Sequence, residues 1–374
     1  MTIPPFPLFR ADHIGSLLRP PALLAARDEF EARTRDAASL RAAEDDAIRD
    51  VVRRQEALGL AVVTDGEFRR DTYSDSFTTA GLDGVAVVLT EAEGWRASGA
   101  HGNRMARRIP KVVERIAWKD GGNARDFAFL ASVARATPKI TLPGPAYIHY
   151  RTGREHISRT VYPDLDAFWA DLVAAYHAEL KSLAAAGCTY VQLDETSLVK
   201  LGDPRAQELL KARGDDWRQL LTRYVAAVNA VVAGVPAGMR VAIHVCRSQD
   251  PSWQASASYE PIADAIFNRI DIGAYLLEWD TPRAGSFEPL RHLPAGKRVV
   301  LGIVSSRSKS LEDADMLKRR IEEAARFAPL DRLGISPHCG FSTSARDADP
   351  LLYELQWQKL ARVIEVARDV WGDA

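Results

Sequence analysis

The sequence predicts an α/β protein, a (β/α)8 TIM barrel with an insertion after the second strand. Its 374 residues exceed the ~250 that such a barrel typically needs before insertions. Short apolar runs alternate with longer helical segments, which is typical of βα units and a parallel sheet. The apolar runs number eight, the strand count of a closed barrel.

The eight predicted strands are 9–15, 60–64, 138–143, 189–193, 240–246, 273–278, 298–304 and 332–336. Helical spacing of Leu, Val, Ile and Ala predicts helices over 38–58, 163–186, 202–233, 310–327 and 349–371. The second helix has the clearest ends, because Pro163 and an acidic first turn open it and Gly187 follows it.

Residues 71–137 separate two predicted strands by far more than one helix. The stretch is rich in Gly, Arg, Ala and Ser, as in GWRASGAHGNRMARR. We predict one catalytic domain over 1–374, in which 71–137 forms an insertion: a small antiparallel excursion or a lid over the barrel mouth. A second domain is the alternative.

Composition and charge exclude several classes of function. Apolar residues make up 47%, and 49 basic residues face 50 acidic ones, which argues against nucleic-acid and membrane-surface partners. No apolar run approaches the ~18 residues of a membrane span, and the N-terminus lacks the order of a secretory signal. The expected location is the cytoplasm, where thiols stay reduced. Homo-oligomer formation is left open.

Metal-binding residue types follow three of the predicted strands. His244 and Cys246 share one face of a strand by alternation, and Glu278 and Cys339 close two later strands. One His, two Cys and one Glu are ligands that zinc accepts, so we predict a Zn2+ site. Taken singly, the histidine could be a core residue and the glutamate half of an ion pair. His338 is a further possible ligand, expected to point away.

Cys188 is interpreted differently, as a small buried hydrophobe within the core. Three cysteines are an odd number and too few for a disulfide framework. Each cysteine is therefore interpreted by its own position.

Six short motifs extend over nearly the whole chain. They are His13-Ile14-Gly15-Ser16, Thr64-Asp65-Gly66-Glu67, Gln192-Leu193-Asp194-Glu195, His244-Val245-Cys246, Leu277-Glu278 and Pro337-His338-Cys339-Gly340. In this order they resemble the catalytic half of cobalamin-independent methionine synthase. The resemblance implies that His244, Cys246, Glu278 and Cys339 hold a zinc ion that binds the substrate thiol as thiolate.

The same resemblance implies a site for an amino-acid thiol. Main-chain groups at Ile14 and Ser16 would hold the carboxylate of homocysteine, and Glu67 and Asp194 would hold its ammonium group. A serine turn offers N–H donors to an anion, and two carboxylates suit a cation. The alternative for the two acids is a structural salt bridge, for example with Arg69 or Arg70.

The expected function is zinc-dependent methyl transfer to homocysteine or a related thiol, in methionine biosynthesis. A free thiol, with a pKa of ~8.5, is mostly protonated at neutral pH, and zinc coordination favours the reactive thiolate. The donor could be 5-methyltetrahydrofolate, so the expected partners are a small thiol and a methyl or alkyl donor.

The sequence departs from the family at the expected donor site. The long enzyme of the family has a further N-terminal half that contributes to its folate surface, and we expect no counterpart of that half here. Tyr147, Tyr150 and Arg151 are possible donor-site residues, with tyrosine where the family tends to have tryptophan. The family's histidine after strand seven is absent, so His149 and His338 become the candidate acids.

The departures from the family pattern leave several alternative functions open. A corrinoid, a small methyl donor or an epoxide could meet the same zinc thiolate. A sulfonate thiol would favour arginines, which Arg19, Arg69, Arg70 and Arg151 could supply. The alternatives without catalysis are a binding protein with structural zinc and a metal-free barrel whose Cys and His belong to the core.

Overall fold

The computed structural model describes residues 9–90, 107–247, 258–342, 344–345 and 349–373. Its helices are α1 Pro21–Glu31, α2 Ala37–Leu58, α3 Asn123–Val133, α4 Tyr147–Thr152, α5 Leu165–Ala185, α6 Leu198–Leu201, α7 Pro204–Ala212, α8 Trp217–Ala233, α9 Ala263–Asn268, α10 Ala314–Ala324 and α11 Pro350–Trp371. Its strands are β1 Val62–Val63, β2 Leu82–Thr90, β3 Arg107–Trp118, β4 Thr137–Pro138, β5 Ile140–Pro143, β6 Tyr190–Asp194, β7 Arg240–Val245, β8 Ala274–Glu278, β9 Arg298–Val304 and β10 Leu333–Pro337.

Parallel strands form the ring of the barrel. Strands β5 to β10 pair with one another in chain order, and β1 pairs with β4. Ala11 forms a parallel bridge to Ile335 of β10, and Leu17 N donates to Gly66 O, just after β1. The segment that begins at residue 9 therefore connects β10 to the end of β1. The strands are buried almost throughout because helices cover a parallel sheet. The predicted (β/α)8 barrel is confirmed.

Three predicted strands differ from the structure in detail, and the strand predicted over 60–64 keeps only the two residues of β1, Val62–Val63. Segment 9–15 leaves the β10 ladder after the bonds Ile335 N to Arg10 O (2.8 Å) and Asp12 N to Ile335 O (3.1 Å). It then turns at Gly15, whose φ of +141° ends the extended course. Strand 138–143 is divided into β4 and β5 after Pro138, which has no N–H for a ladder.

Three predicted helices also differ at their ends, and the helix predicted over 310–327 is shorter, because α10 extends only over Ala314–Ala324. The segment 202–233 contains two helices, because Asp216 caps the start of α8 by accepting from the main chain of Arg218 and Gln219. Helix α5 begins at Leu165 because Asp164, rather than Pro163, supplies its N-cap. None of the helices in the described part of the chain has the length and apolar character that a bilayer crossing requires.

The segment 71–137 contains an antiparallel hairpin of β2 and β3, followed by α3. The hairpin is joined to α5 by Glu179, which accepts from Trp118 Nε1 (2.6 Å) and from Asn123 Nδ2 (2.8 Å). The tip of the predicted insertion, 91–106, lies outside the described residues. The division into one domain with a lid stays a prediction.

Candidate metal and thiol site

Three of the four predicted zinc ligands come together at the barrel mouth. Ligand atoms of His244, Cys246 and Cys339 lie within 4.8 Å of one another, and the two sulfur atoms are 3.7 Å apart. Two thiolates at Zn–S distances of ~2.3 Å and tetrahedral angles would be ~3.8 Å apart. The donor set therefore fits zinc in both chemistry and spacing.

Two of these three groups have raised pKa values, so a metal ion would compete with protons for them. Burial by itself lowers the pKa of His244, but the Cys246 thiolate and the hydrogen bond to Asp194 outweigh it and raise that pKa to about 10. The hydrogen bond from Cys339 to Cys246, together with burial, raises the pKa of Cys339 well above its usual value. A metal ion would displace a proton from each of these two groups.

Glu278 stands apart from this group. Its carboxylate accepts from Arg247 N (2.5 Å) and Arg283 Nη2 (3.3 Å), and Arg307 Nη2 lies 3.8 Å away. Burial raises the pKa of Glu278 to about 7, against the opposing effect of Arg247. Coordination by Glu278 would require its carboxylate to rotate away from these arginines.

His338 points away from the sulfur atoms, next to Glu278 and Asp280. Its Nδ1 accepts from Ser306 N (3.1 Å), and its Nε2 lies 3.0 Å from Arg307 Nη2. Burial and Arg307 lower its pKa well below the usual value, so the ring is neutral at neutral pH. For His338 to act as an acid, as predicted from the sequence, a further interaction would have to raise its pKa.

The turn Ile14-Gly15-Ser16 packs closely against Glu67 and against Gly340, the residue after Cys339. A Cβ on Gly15 would lie 2.8 Å from Thr141 Cγ2 and 3.3 Å from Glu67 Oε1, and a Cβ on Gly340 would overlap Ser16 Oγ. Both glycines therefore permit the close approach of these segments. Within the described part of the chain, the main-chain N–H groups of residues 14–16 donate no hydrogen bond, although the turn is buried.

The two predicted ammonium-binding acids also lie beside this turn. Glu67 has a φ of +60°, a strained conformation for a residue with a side chain, and accepts from Thr141 Oγ1 (2.6 Å). Arg70 lies 3.7 Å from its carboxylate, so the salt bridge considered from the sequence is partly present. Burial raises the pKa of Glu67, Arg70 opposes that rise, and Asp194 adds to it.

Asp194 lies within hydrogen-bond distance of one of the predicted metal ligands, His244. Its Oδ1 lies 3.1 Å from His244 Nδ1, and Gln192 Nε2 donates to the same oxygen at 2.7 Å. A carboxylate behind a metal-binding histidine fixes the ring and leaves its other nitrogen for the ion. The sequence pattern assigned Asp194 to substrate alone and did not indicate this second contact.

The predicted donor-site residues separate into two groups. Tyr147 is partly exposed on α4, where Ser74 Oγ donates to its hydroxyl (3.1 Å) and the Arg151 guanidinium lies 6.0 Å from its ring centre. Tyr150 is 1% exposed and belongs to the core. His149 bonds to the Tyr224 hydroxyl (2.9 Å), and burial, then Arg213, lowers its pKa to about 4.

Several residues at the site were missed in the sequence. Arg247, Arg283 and Arg307 surround Glu278, and Lys139 and Gln192 continue the polar contacts into the barrel. The only sequence signal for Arg247 was its position after Cys246. Cys188 is buried, and burial raises its pKa to about 12, as the sequence interpretation of a core thiol expects.

Comparison with known proteins identifies the family. Residues 9–355 match the family described as cobalamin-independent synthase, catalytic domain. The chain belongs to this family. It is therefore an enzyme of the methyl-transferring class.

Relatives of this family match the chain over nearly its whole length. YxjH of Bacillus subtilis (strain 168), named as uncharacterized, is 37% identical over 366 residues, which cover 97% of this chain and 95% of that protein. Methionine synthase of Pyrococcus abyssi (strain GE5 / Orsay) is 25% identical over 368 residues, which cover 97% and 93%.

Solved structures support the same fold. A protein described as a proposed vitamin-B12 independent methionine synthase of Listeria monocytogenes has a TM-score of 0.76 and 31% identity, with 100% of both chains covered. A B12-independent methionine synthase of Shewanella sp. W3-18-1, in complex with selenomethionine, has a TM-score of 0.71 and 19% identity, with 97% and 98% covered. The match to the second shows the fold alone.

Proposed function

We propose that this member of the family transfers a methyl group to homocysteine at a zinc ion, forming methionine. One observation carries the proposal: the His244, Cys246 and Cys339 set lies beside two carboxylates and beside a turn whose N–H groups donate to nothing among the residues that the structure describes. These are the three kinds of group that a thiol, a carboxylate and an ammonium require.

Different residues would bind the carboxylate, the ammonium group and the thiol of homocysteine. The N–H groups of residues 14–16 would donate hydrogen bonds to the carboxylate, and the carboxylates of Glu67 and Asp194 would accept hydrogen bonds from the ammonium group. We propose His244, Cys246, Cys339 and, after rotation of its side chain, Glu278 as the zinc ligands. When bound, zinc would lower the pKa of the substrate thiol and favour its thiolate form.

Two of the four arginines considered for a sulfonate thiol, Arg19 and Arg69, are occupied by contacts within the protein. Arg19 donates to the main-chain oxygens of Glu67 (2.7 Å) and Arg70 (2.6 Å), and Arg69 is paired with Asp45. These two guanidinium groups are therefore engaged within the protein. The carboxylates of Glu67 and Asp194 would repel a sulfonate at the ammonium end.

We propose a folate-type methyl donor, 5-methyltetrahydrofolate, with Tyr147 and Arg151 on the donor side. A partly exposed aromatic ring can stack on a flat ligand, whereas the buried ring of Tyr150 cannot. We place the reaction in the cytoplasm, since two thiol ligands require a reducing compartment.

The test is transfer from 13C-methyl-labelled donors to L-homocysteine by the zinc-loaded enzyme, followed by mass spectrometry of methionine. Labelled methionine from 5-methyltetrahydrofolate would support both acceptor and donor. Labelled methionine only from S-methylmethionine or a methyl-corrinoid would support the acceptor and contradict the donor. Absence of methionine with every donor, alongside thioether formation from an epoxide, would contradict the proposed acceptor reaction.

A further inference from the structure

One buried amide connects three parts of the candidate site. The side chain of Gln192 on β6 donates through Nε2 to Ile14 O and to Asp194 Oδ1, both at 2.7 Å. Its Oε1 accepts from Lys139 Nζ at 2.9 Å. The residue is 0% exposed, so solvent does not compete for these bonds.

The orientation of this amide follows from its neighbours. If the amide were reversed, its NH2 group would face the Lys139 ammonium, and its oxygen would face a carbonyl and a carboxylate. Both contacts would be repulsive in a buried setting. The donor side of Gln192 therefore faces Ile14 and Asp194.

The opposite side of the amide is held equally firmly. Lys139 Nζ also donates to Asp12 Oδ1 (2.8 Å) and to the main-chain oxygen of His13. Lys139 and Asp12 have side chains that are 0% and 1% exposed. Because Asp12, His13 and Ile14 are consecutive, the amide and the lysine fix the segment that leads into the turn from two sides.

The two groups that Gln192 contacts have opposite roles in the proposed function. Ile14 opens the turn proposed to hold a carboxylate, and Asp194 is proposed to hold an ammonium. In an α-amino acid these two charges are attached to the same carbon, so their binding groups must keep a fixed separation. Asp194 also contacts His244 Nδ1 (3.1 Å), which extends the constraint to the metal residues.

We propose that Gln192 is a positioning residue that holds the carboxylate-binding turn and Asp194 at the separation an α-amino-acid thiol requires. This inference rests on the proposed function. Gln192 does not touch the substrate; it acts through Ile14 and Asp194. Its loss should therefore weaken recognition of the amino-acid end more than binding of the thiol.

Two substitutions test the hydrogen bonds that this amide donates and the hydrogen bond that it accepts. Gln192→Met keeps the shape and removes every hydrogen bond. Gln192→Glu keeps an acceptor for Lys139 but places an oxygen against Asp194 and the Ile14 carbonyl. The Glu variant retains the lysine contact, so it can be measured if the Met variant fails to fold. Gln207→Met is the control, because it removes an amide on α7 that, among the described residues, donates to Leu201 O alone (2.8 Å).

The experiment compares two thiols by calorimetry on the zinc-loaded enzyme. One is L-homocysteine, and the other is 4-sulfanylbutanoate, which has the same chain, thiol and carboxylate but no ammonium. We expect the wild type and Gln207→Met to prefer homocysteine. This preference is the Kd of 4-sulfanylbutanoate divided by the Kd of homocysteine. In both Gln192 variants this ratio should fall about tenfold, equivalent to ~1.4 kcal/mol.

The outcomes distinguish the two proposals. If the wild type prefers homocysteine and the Gln192 variants keep the same ratio, with both thiols weakened equally or not at all, the positioning role is wrong and the acceptor assignment stands. If the wild type binds both thiols equally, the amino-acid acceptor is wrong, and the role of Gln192 is overturned with it. Zinc content and Tm of each variant show whether lost binding reflects lost metal or lost fold.

Discussion

At the barrel mouth, the sulfur atoms of Cys246 and Cys339 are close enough to share one zinc ion. Replacing either one by serine should reduce bound zinc from about one per chain to a small fraction, because a hydroxyl is a much poorer zinc ligand than a thiolate. Atomic emission after gel filtration would measure this.

Cys188 supplies the matched control for these substitutions, since its thiol is buried and donates to Tyr190 O at 3.5 Å. Cys188→Ser should retain the metal. Full zinc retention in both ligand variants would contradict the proposed site.

Glu67 predicts a pH dependence for substrate binding. Its carboxylate must be ionised to hold an ammonium group, and burial raises its pKa above the usual value, against the effect of Arg70. Homocysteine affinity should therefore be full at high pH and weaken as the pH falls through this raised pKa, above the ~4.3 of an ordinary glutamate.

Measurement of Kd between pH 5 and 8 would show this effect. Glu67→Gln should weaken homocysteine binding and remove this part of the pH profile. Because 4-sulfanylbutanoate has no ammonium, its profile in the wild type corrects for titration of the metal ligands. Identical profiles for the two thiols would count against Glu67 as an ammonium ligand.

At the scale of elements, Glu179 joins α5 to the hairpin and to α3 through Trp118 and Asn123. Glu179→Ala would leave two donors without their partner, at a cost of ~1–3 kcal/mol for each buried group. We expect a lower Tm and altered Trp fluorescence, with zinc retained, because the barrel strands are untouched. An unchanged Tm would show that the hairpin does not depend on this contact.

The elements show what a single sequence can predict. Strands β6 to β10 were found within about a residue of their true ends, because buried parallel strands are continuous apolar runs. Segment 9–15 and the break at Pro138 were predicted less accurately. The turn at Gly15 depends on neighbours distant in sequence, whereas the missing N–H of Pro138 is visible in the sequence and was overlooked.

The residues of the candidate site could likewise be predicted only in part from the sequence. His244 and Cys246 could be paired by alternation, and Cys339 by its place after the last strand. The arginines around Glu278 could not be predicted, because Arg247, Arg283 and Arg307 come from three loops that meet only in the folded chain. The same holds for the contact between Gln192 and Lys139, which are 53 positions apart.

For the molecule as a whole, zinc binding should release protons. His244, with a pKa of about 10, and Cys339, with a raised pKa, are both protonated near neutral pH in the absence of metal. Zinc affinity should therefore fall as the pH is lowered, by about two log units per pH unit for these two protons, and more steeply below the pKa of about 7 of Glu278, the fourth proposed ligand. Competition with a chromophoric chelator at pH 6.5, 7.5 and 8.5 would measure this, and an affinity independent of pH would contradict it.

The most direct test of a thiol-activating zinc centre is X-ray absorption at the zinc edge, with and without L-homocysteine. We expect about one zinc per chain with two sulfur ligands, and a third sulfur when homocysteine is added. If zinc is present but its ligand shell is unchanged by homocysteine, the metal site would stand and the proposed acceptor would be contradicted.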